Sequence, residues 1–190
     1  MSKGRLEAFS DGVIAILITI MVLEFRVPEG SDWKALRPLV PVFLTYVLSF
    51  VFLAIYWNNH HHLFHATERI NGKILWANLH LLFWLSLTVF VTGWLGEHPS
   101  APVPTAVYGV VLLMAAVAYT ILVNTILAAQ GPSSMLVAAI GSDLKGKLSL
   151  ALYASAILLA FVNQWISDAI YVVVVLMWLV PDRRIESRMS

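Results

Sequence analysis

The stretch Arg5 to Glu24, RLEAFSDGVIAILITIMVLE, decides how this chain is read. Phe9, Ser10 and Asp11 precede twelve uncharged residues, Gly12 to Leu23, and Glu24 follows them. As a helix, those twelve residues rise only about 18 Å, against roughly 30 Å of bilayer hydrocarbon. If this helix crosses a membrane, Asp11, Glu24 or both lie at membrane depth. A carboxylate there is costly unless it faces protein or a water-filled cavity, which marks the helix as a candidate pore liner.

Composition supports the membrane setting. Hydrophobic residues make up 59% and charged residues 12% of 190 residues, and the mean hydropathy is +0.81. So few charges cannot cover a soluble globule of this size, and several apolar runs reach spanning length. The absence of cysteine excludes disulfide frameworks and cysteine-ligated zinc or iron–sulfur centres. A net charge of +1 carries no nucleic-acid signal. Lys3 and Arg5 ahead of an apolar run resemble a signal peptide. Val22, Leu23, Glu24 and Phe25 stand where small residues would mark cleavage, so the helix is expected to be retained.

The chain is expected to form a single all-α domain over residues 1–190 with six transmembrane helices, at about 6–27, 38–65, 74–95, 105–129, 148–162 and 166–180. The last two are short, with Lys147, Trp165 and Ser167 as interfacial anchors. An even number of spans puts both termini on one side, with Lys3, Arg5, Arg69, Lys73, Lys145, Lys147, Arg183, Arg184 and Arg188. The other side collects Arg26, Lys34 and Arg37. Positive charge stays inside, so both termini are expected to be cytoplasmic.

On a helical wheel of the first span, Arg5, Phe9, Gly12, Ile16, Thr19, Ile20, Leu23 and Val27 fall within about 60° of Ile16. Ser10 and Asp11 lie about 120° and 140° away. The apolar face either packs against helices or lipid, as most such stripes do, or rings a symmetry axis. Behind it, Asp11 has candidate partners at similar depth in Trp57, Asn58, Asn59, His60, His61, His62 and His65 of span two, and in Asn78 and His80 of span three. Buried polar groups in an apolar medium are tolerated when they satisfy one another, so Ser10 and Asp11 are expected to join a polar cluster with spans two and three.

His61 and His65, four apart, and His62 and His65, three apart, form pairs that each share a helix face, which makes these three histidines candidate ligands for a divalent cation or haem. No carboxylate completes the set at helical spacing, so structural hydrogen bonding is the favoured reading and no cofactor is expected. GxSxG, HExxH and Walker signatures are absent, which argues against an enzyme. The polar residues concentrate in residues 1–95, unlike the paired halves of an inverted-repeat transporter.

Arg5, Phe9, Ser10 and Asp11 form R-x-x-x-F-S-D at the head of an Ile/Thr-rich helix, and YWNNHHHLF follows in span two. Together these resemble the transmembrane protein 175 family of lysosomal potassium channels and their prokaryotic relatives. The resemblance implies a potassium-permeable homotetramer in a prokaryotic plasma membrane, with first helices lining the axis and no TVGYG-type filter. It places the narrowest hydrophobic ring on Ile16, further layers on Ile20 and Leu23, and the hydroxyl position on Thr19. The position often occupied by serine in eukaryotic members is Ala15 here. Asp11 then reads as scaffold and Arg5 as a residue of the cytoplasmic mouth. The alternatives are a proton- or cation-coupled carrier using Asp11 and the histidines, and a metal- or haem-binding membrane protein.

Overall fold

The computed structural model describes residues 2–130 and 144–179. The expected basic tail with Arg183, Arg184 and Arg188 lies outside the described residues. Among these residues six α-helices follow in order: α1 Lys3–Ile20, α2 Val40–His65, α3 Gly72–Glu97, α4 Pro102–Gln130, α5 Leu144–Leu159 and α6 Gln164–Leu179. Four stretches are long and apolar enough to cross a bilayer: Lys3–Glu24, Trp33–His65, Gly72–Glu97 and Pro102–Gln130. The helix α6 is apolar but shorter.

The helix boundaries follow from local chemistry. The helix α1 does not run to Val27: it tightens into a 3-10 turn at Met21–Glu24 and leaves helical backbone at Phe25. Pro28 restricts Val27 to extended conformations, and the termination propagates back from there. The chain re-enters through a second 3-10 turn, Trp33–Leu39, where Asp32 Oδ1 accepts from the Ala35 amide at 3.1 Å. Pro41 then sits in the first turn of α2, where its missing N–H costs nothing. Asn71 caps α3 by accepting from the Ile74 amide at 3.0 Å, which sets that helix's start at Gly72. Two prolines, Pro102 and Pro104, occupy the first turn of α4.

Consecutive helices from α2 onward pack side by side, and α6 folds back onto α2 and α4. By contrast, α1 rests on α2 and α3. Two contacts show which ends share a side. Lys3 Nζ donates to the His65 carbonyl oxygen at 2.9 Å, joining the start of α1 to the end of α2. At the other end Arg26 meets Glu97 Oε1 at 2.7 Å. This second pair is exposed and contributes at most about 1 kcal/mol.

The helices α2 and α3 approach closely at Gly96. A Cβ there would lie 2.9 Å from the Val42 Cα, which is backbone and cannot swing aside. Gly96→Ala is therefore expected to lower stability by about 1–3 kcal/mol, read as a lower unfolding midpoint in detergent. Gly4→Ala, which meets nothing within 4 Å, is the neutral control.

The later helices hold more buried polar groups than the sequence reading assigned them. The Ser49 and Tyr108 hydroxyls share a 2.9 Å hydrogen bond, and Thr92 Oγ1 lies 2.7 Å from Ser49 Oγ. Tyr171 donates to the Thr105 carbonyl oxygen at 2.9 Å, Ser167 to that of Ala156 at 2.7 Å, and Trp178 Nε1 to Ser149 Oγ at 2.9 Å. Tyrosine and tryptophan count as apolar in a hydropathy scan, yet each carries one polar atom that must be paired.

Candidate pore helix and its polar anchor

The two faces of α1 have opposite fates. Leu6, Ser10, Ile14 and Leu17, spaced three and four apart, are buried against α2 and α3, and Met21 continues the row at 0% exposure. On the other side Arg5, Phe9, Gly12, Ala15, Ile16, Thr19, Ile20 and Leu23 are all exposed. Ile16 is 58% and Leu23 77% exposed, large values for apolar side chains at mid-helix and at its end. Thr19 Oγ1 donates to the Ile16 carbonyl oxygen at 2.9 Å, which spends the hydroxyl proton on the helix's own backbone and leaves the oxygen lone pairs for other partners. Val27, expected on this face, lies beyond the helix end and is separate from it.

A chain of hydrogen bonds anchors the covered face. Ser10 Oγ donates to the Leu6 carbonyl oxygen at 3.0 Å and accepts from Asn78 Nδ2 at 2.9 Å. The Asn78 Oδ1 meets His60 Nε2 at 2.8 Å. Since Asn78 gives its amide proton to Ser10, its oxygen is the acceptor, and the His60 proton belongs on Nε2. Ser10, Asn78 and His60 are all at 1% exposure or less, so α1, α3 and α2 are joined through groups that have no water to turn to. Beside them, Trp57 Nε1 donates to Asp11 Oδ1 at 3.0 Å, an exposed bond between α2 and α1.

Not every expected member takes part. Asn58 and His61 are exposed, and His61 stacks on Trp57 with ring centroids 6.2 Å apart. His80 accepts from Trp84 Nε1 at 3.0 Å within α3 rather than reaching α1. Arg5 and Phe9 lie on the uncovered face, away from the anchor. Of the candidate histidines of span two, the one buried in the network is His60, and its neighbour His61 stays outside it. The indexing signal was the row Ser49, Phe52, Leu53, His60, Leu63 and Phe64, which shares one helix face. It is hard to see because α2 is apolar nearly all round.

The candidate ligands His61, His62 and His65 are neighbours, with the His61 ring 5.6 Å from that of His62 and 6.3 Å from that of His65. Among the described residues no group of three His, Asp or Glu side chains converges in a way that could hold a metal ion. Glu24, the second carboxylate of the opening stretch, lies against Gly93 of α3. A Cβ at that glycine would meet the Glu24 carboxyl group, the end of a flexible, exposed side chain that can swing aside.

The helices, four stretches of them apolar and long enough to cross a bilayer, describe an all-helical membrane protein. The sequence profile of the family described as "Endosomal/lysosomal potassium channel TMEM175" matches residues 5–88. A potassium channel of Chryseobacterium sp. (strain P1-3) is 53% identical over 100% of this chain and 99% of that protein. The crystal structure of a lysosomal potassium-selective channel TMEM175 homologue from Chamaesiphon minutus superposes with a TM-score of 0.80 at 30% identity, covering 94% of this chain and 96% of that one. The human endosomal/lysosomal proton channel TMEM175 is 38% identical over 44% of this chain and 19% of its own. This chain belongs to the TMEM175 family.

Proposed function

We propose that the protein is a potassium-permeable channel in which α1 of each copy in a homotetramer lines a central pore. The uncovered face of α1 carries this reading: Ile16, Thr19, Ile20 and Leu23 face away from the chain's own helices while the opposite face is locked to α2 and α3. Around an axis, that locked rotation presents Ile16 as the narrowest ring, with Ile20 and Leu23 as further apolar layers. A cation crossing such a ring sheds much of its water, and the pore gates by dewetting. Potassium holds its water less tightly than sodium, so the ring favours it. The Asp11–Trp57 bond and the Ser10–Asn78–His60 chain serve as scaffold, Arg5 stands at the cytoplasmic mouth, and both termini are cytoplasmic in a bacterial plasma membrane. No cofactor is required.

The bacterial relative is named a potassium channel and the vertebrate one a proton channel, so protons are the second permeant ion to test. Purified protein in liposomes is expected to pass potassium at channel rates, faster than sodium. Slow, saturable flux strictly coupled to a pH gradient would instead establish the carrier reading, and a pH dye in the same vesicles reports any proton current.

A further inference from the structure

A trough of about 840 Å³ opens on the outside of the bundle between the start of α3 and the second half of α4. Its lining includes Lys73, Trp76, Ala77 and His80 from α3, and Ile121 and Thr125 from α4. On α3, residues 73, 76, 77 and 80 share one face at helical spacing, and on α4 residues 121 and 125 do the same. Among the described residues the lining carries one lysine and no carboxylate.

Depth orders these residues. Lys73 stands in the first turn of α3, at the end of the bundle shared with Lys3 and His65. One turn deeper is Trp76, three-quarters exposed, at the level where indole rings settle among lipid headgroups. Below it Ala77 and Ile121 form an apolar floor. His80 accepts from Trp84 through Nε2, which leaves its Nδ1–H as a donor. The order from the membrane surface inward along α3 is cation, interfacial aromatic and apolar Ala77, with the polar donor His80 about one turn below.

We infer that this trough binds an anionic phospholipid of the leaflet facing the start of α1, with Lys73 on the phosphate-bearing headgroup and an acyl chain along Ala77 and Ile121. A basic pocket between transmembrane helices matches such headgroups by charge. A soluble anion would leave the apolar floor empty, and a second copy of the chain would have to bring an anionic partner to Lys73. The inference needs only the membrane setting and does not depend on which ion the channel conducts.

The test is native mass spectrometry of the purified protein titrated with phosphatidylglycerol or phosphatidylcholine of identical acyl chains. Wild type is expected to retain phosphatidylglycerol about fivefold more strongly, the effect of one lysine at a charged interface. Lys73→Gln is expected to abolish that preference and Lys73→Arg to restore it. Ala77→Phe, which fills the trough, is expected to weaken retention of both lipids. An unchanged preference in Lys73→Gln overturns the inference. So does displacement of bound phosphatidylglycerol by glycerol phosphate at matched concentration, which would mark a soluble-anion site. The chain has no cysteine, so Trp76→Cys gives a single labelling position. Protection of that cysteine from a bilayer-soluble maleimide that persists after delipidation would mean that a second copy covers the trough, and would also overturn the inference.

Discussion

Replacing Ile16 with asparagine is expected to raise potassium flux into proteoliposomes about tenfold and to remove most of the preference for potassium over sodium. Ile16 lies on the uncovered face of α1, and its side chain touches little of its own chain. Substitution there leaves the fold intact. In a ring around the axis, asparagine supplies carboxamide groups that hold water where isoleucine excludes it, and an ion then crosses with more of its hydration shell. A tenfold change asks for only about 1.4 kcal/mol off the barrier, a small part of the cost of stripping a cation. Ile14→Asn is the matched control. Ile14 is fully buried against the neighbouring helices, so the same change there is expected to destroy assembly rather than alter conduction. Unchanged flux and selectivity in Ile16→Asn would remove that residue from the ion path.

The second large effect is expected from Asn78→Leu. One carboxamide satisfies both Ser10 on α1 and His60 on α2. Leucine keeps the branched outline in a bulkier form and leaves a buried imidazole N–H without an acceptor. An unpaired buried donor costs about 1–3 kcal/mol, and interhelical bonds in membranes fall toward the lower end of that range. The expected result is a lower yield of assembled protein and a lower unfolding midpoint, with an unchanged potassium-to-sodium ratio in whatever assembles. Asp11→Asn is expected to be milder, because the amide oxygen still accepts from Trp57 and that bond is exposed. Normal assembly of Asn78→Leu with altered ion preference would move the network from scaffold to ion path.

How much of this could be read from the chain varied with how unevenly polarity is distributed along each helix. In α1 a serine and an aspartate index an otherwise apolar helix, so its rotation followed from spacing, and the structure leaves uncovered the face opposite them. In α2 the apolar residues run all round and the histidines are consecutive, so spacing offered no means of choosing His60 over His61. The helix starts near Pro41, Asn71 and Pro102 fall within a few residues of the expected ones, whereas α1 stops at Ile20, short of the expected end before Pro28. The change to 3-10 geometry at Met21 was not, because it has no local signature. The buried hydroxyls of Tyr108 and Tyr171 were hidden by the apolar bulk of their rings. Nothing in the amino-acid order specifies a second copy of the chain, and the proposed tetramer rests on the family resemblance alone.

Among the described residues, the hydrogen bonds from α1 side chains to other helices leave from positions 3, 10 and 11, all in its first three turns. From there to the end of the helical stretch the buried side chains are the apolar Ile14, Leu17 and Met21, with Val13 and Ile18 packed beside them. Apolar contact has no direction and tolerates rotation, whereas the bond from Asn78 to Ser10 does not. A slip of one residue would turn α1 by about 100° and swing Ile16 off its bearing. The polar groups thus work as a key in a keyway: they set the angular phase of a helix whose far end could not set its own.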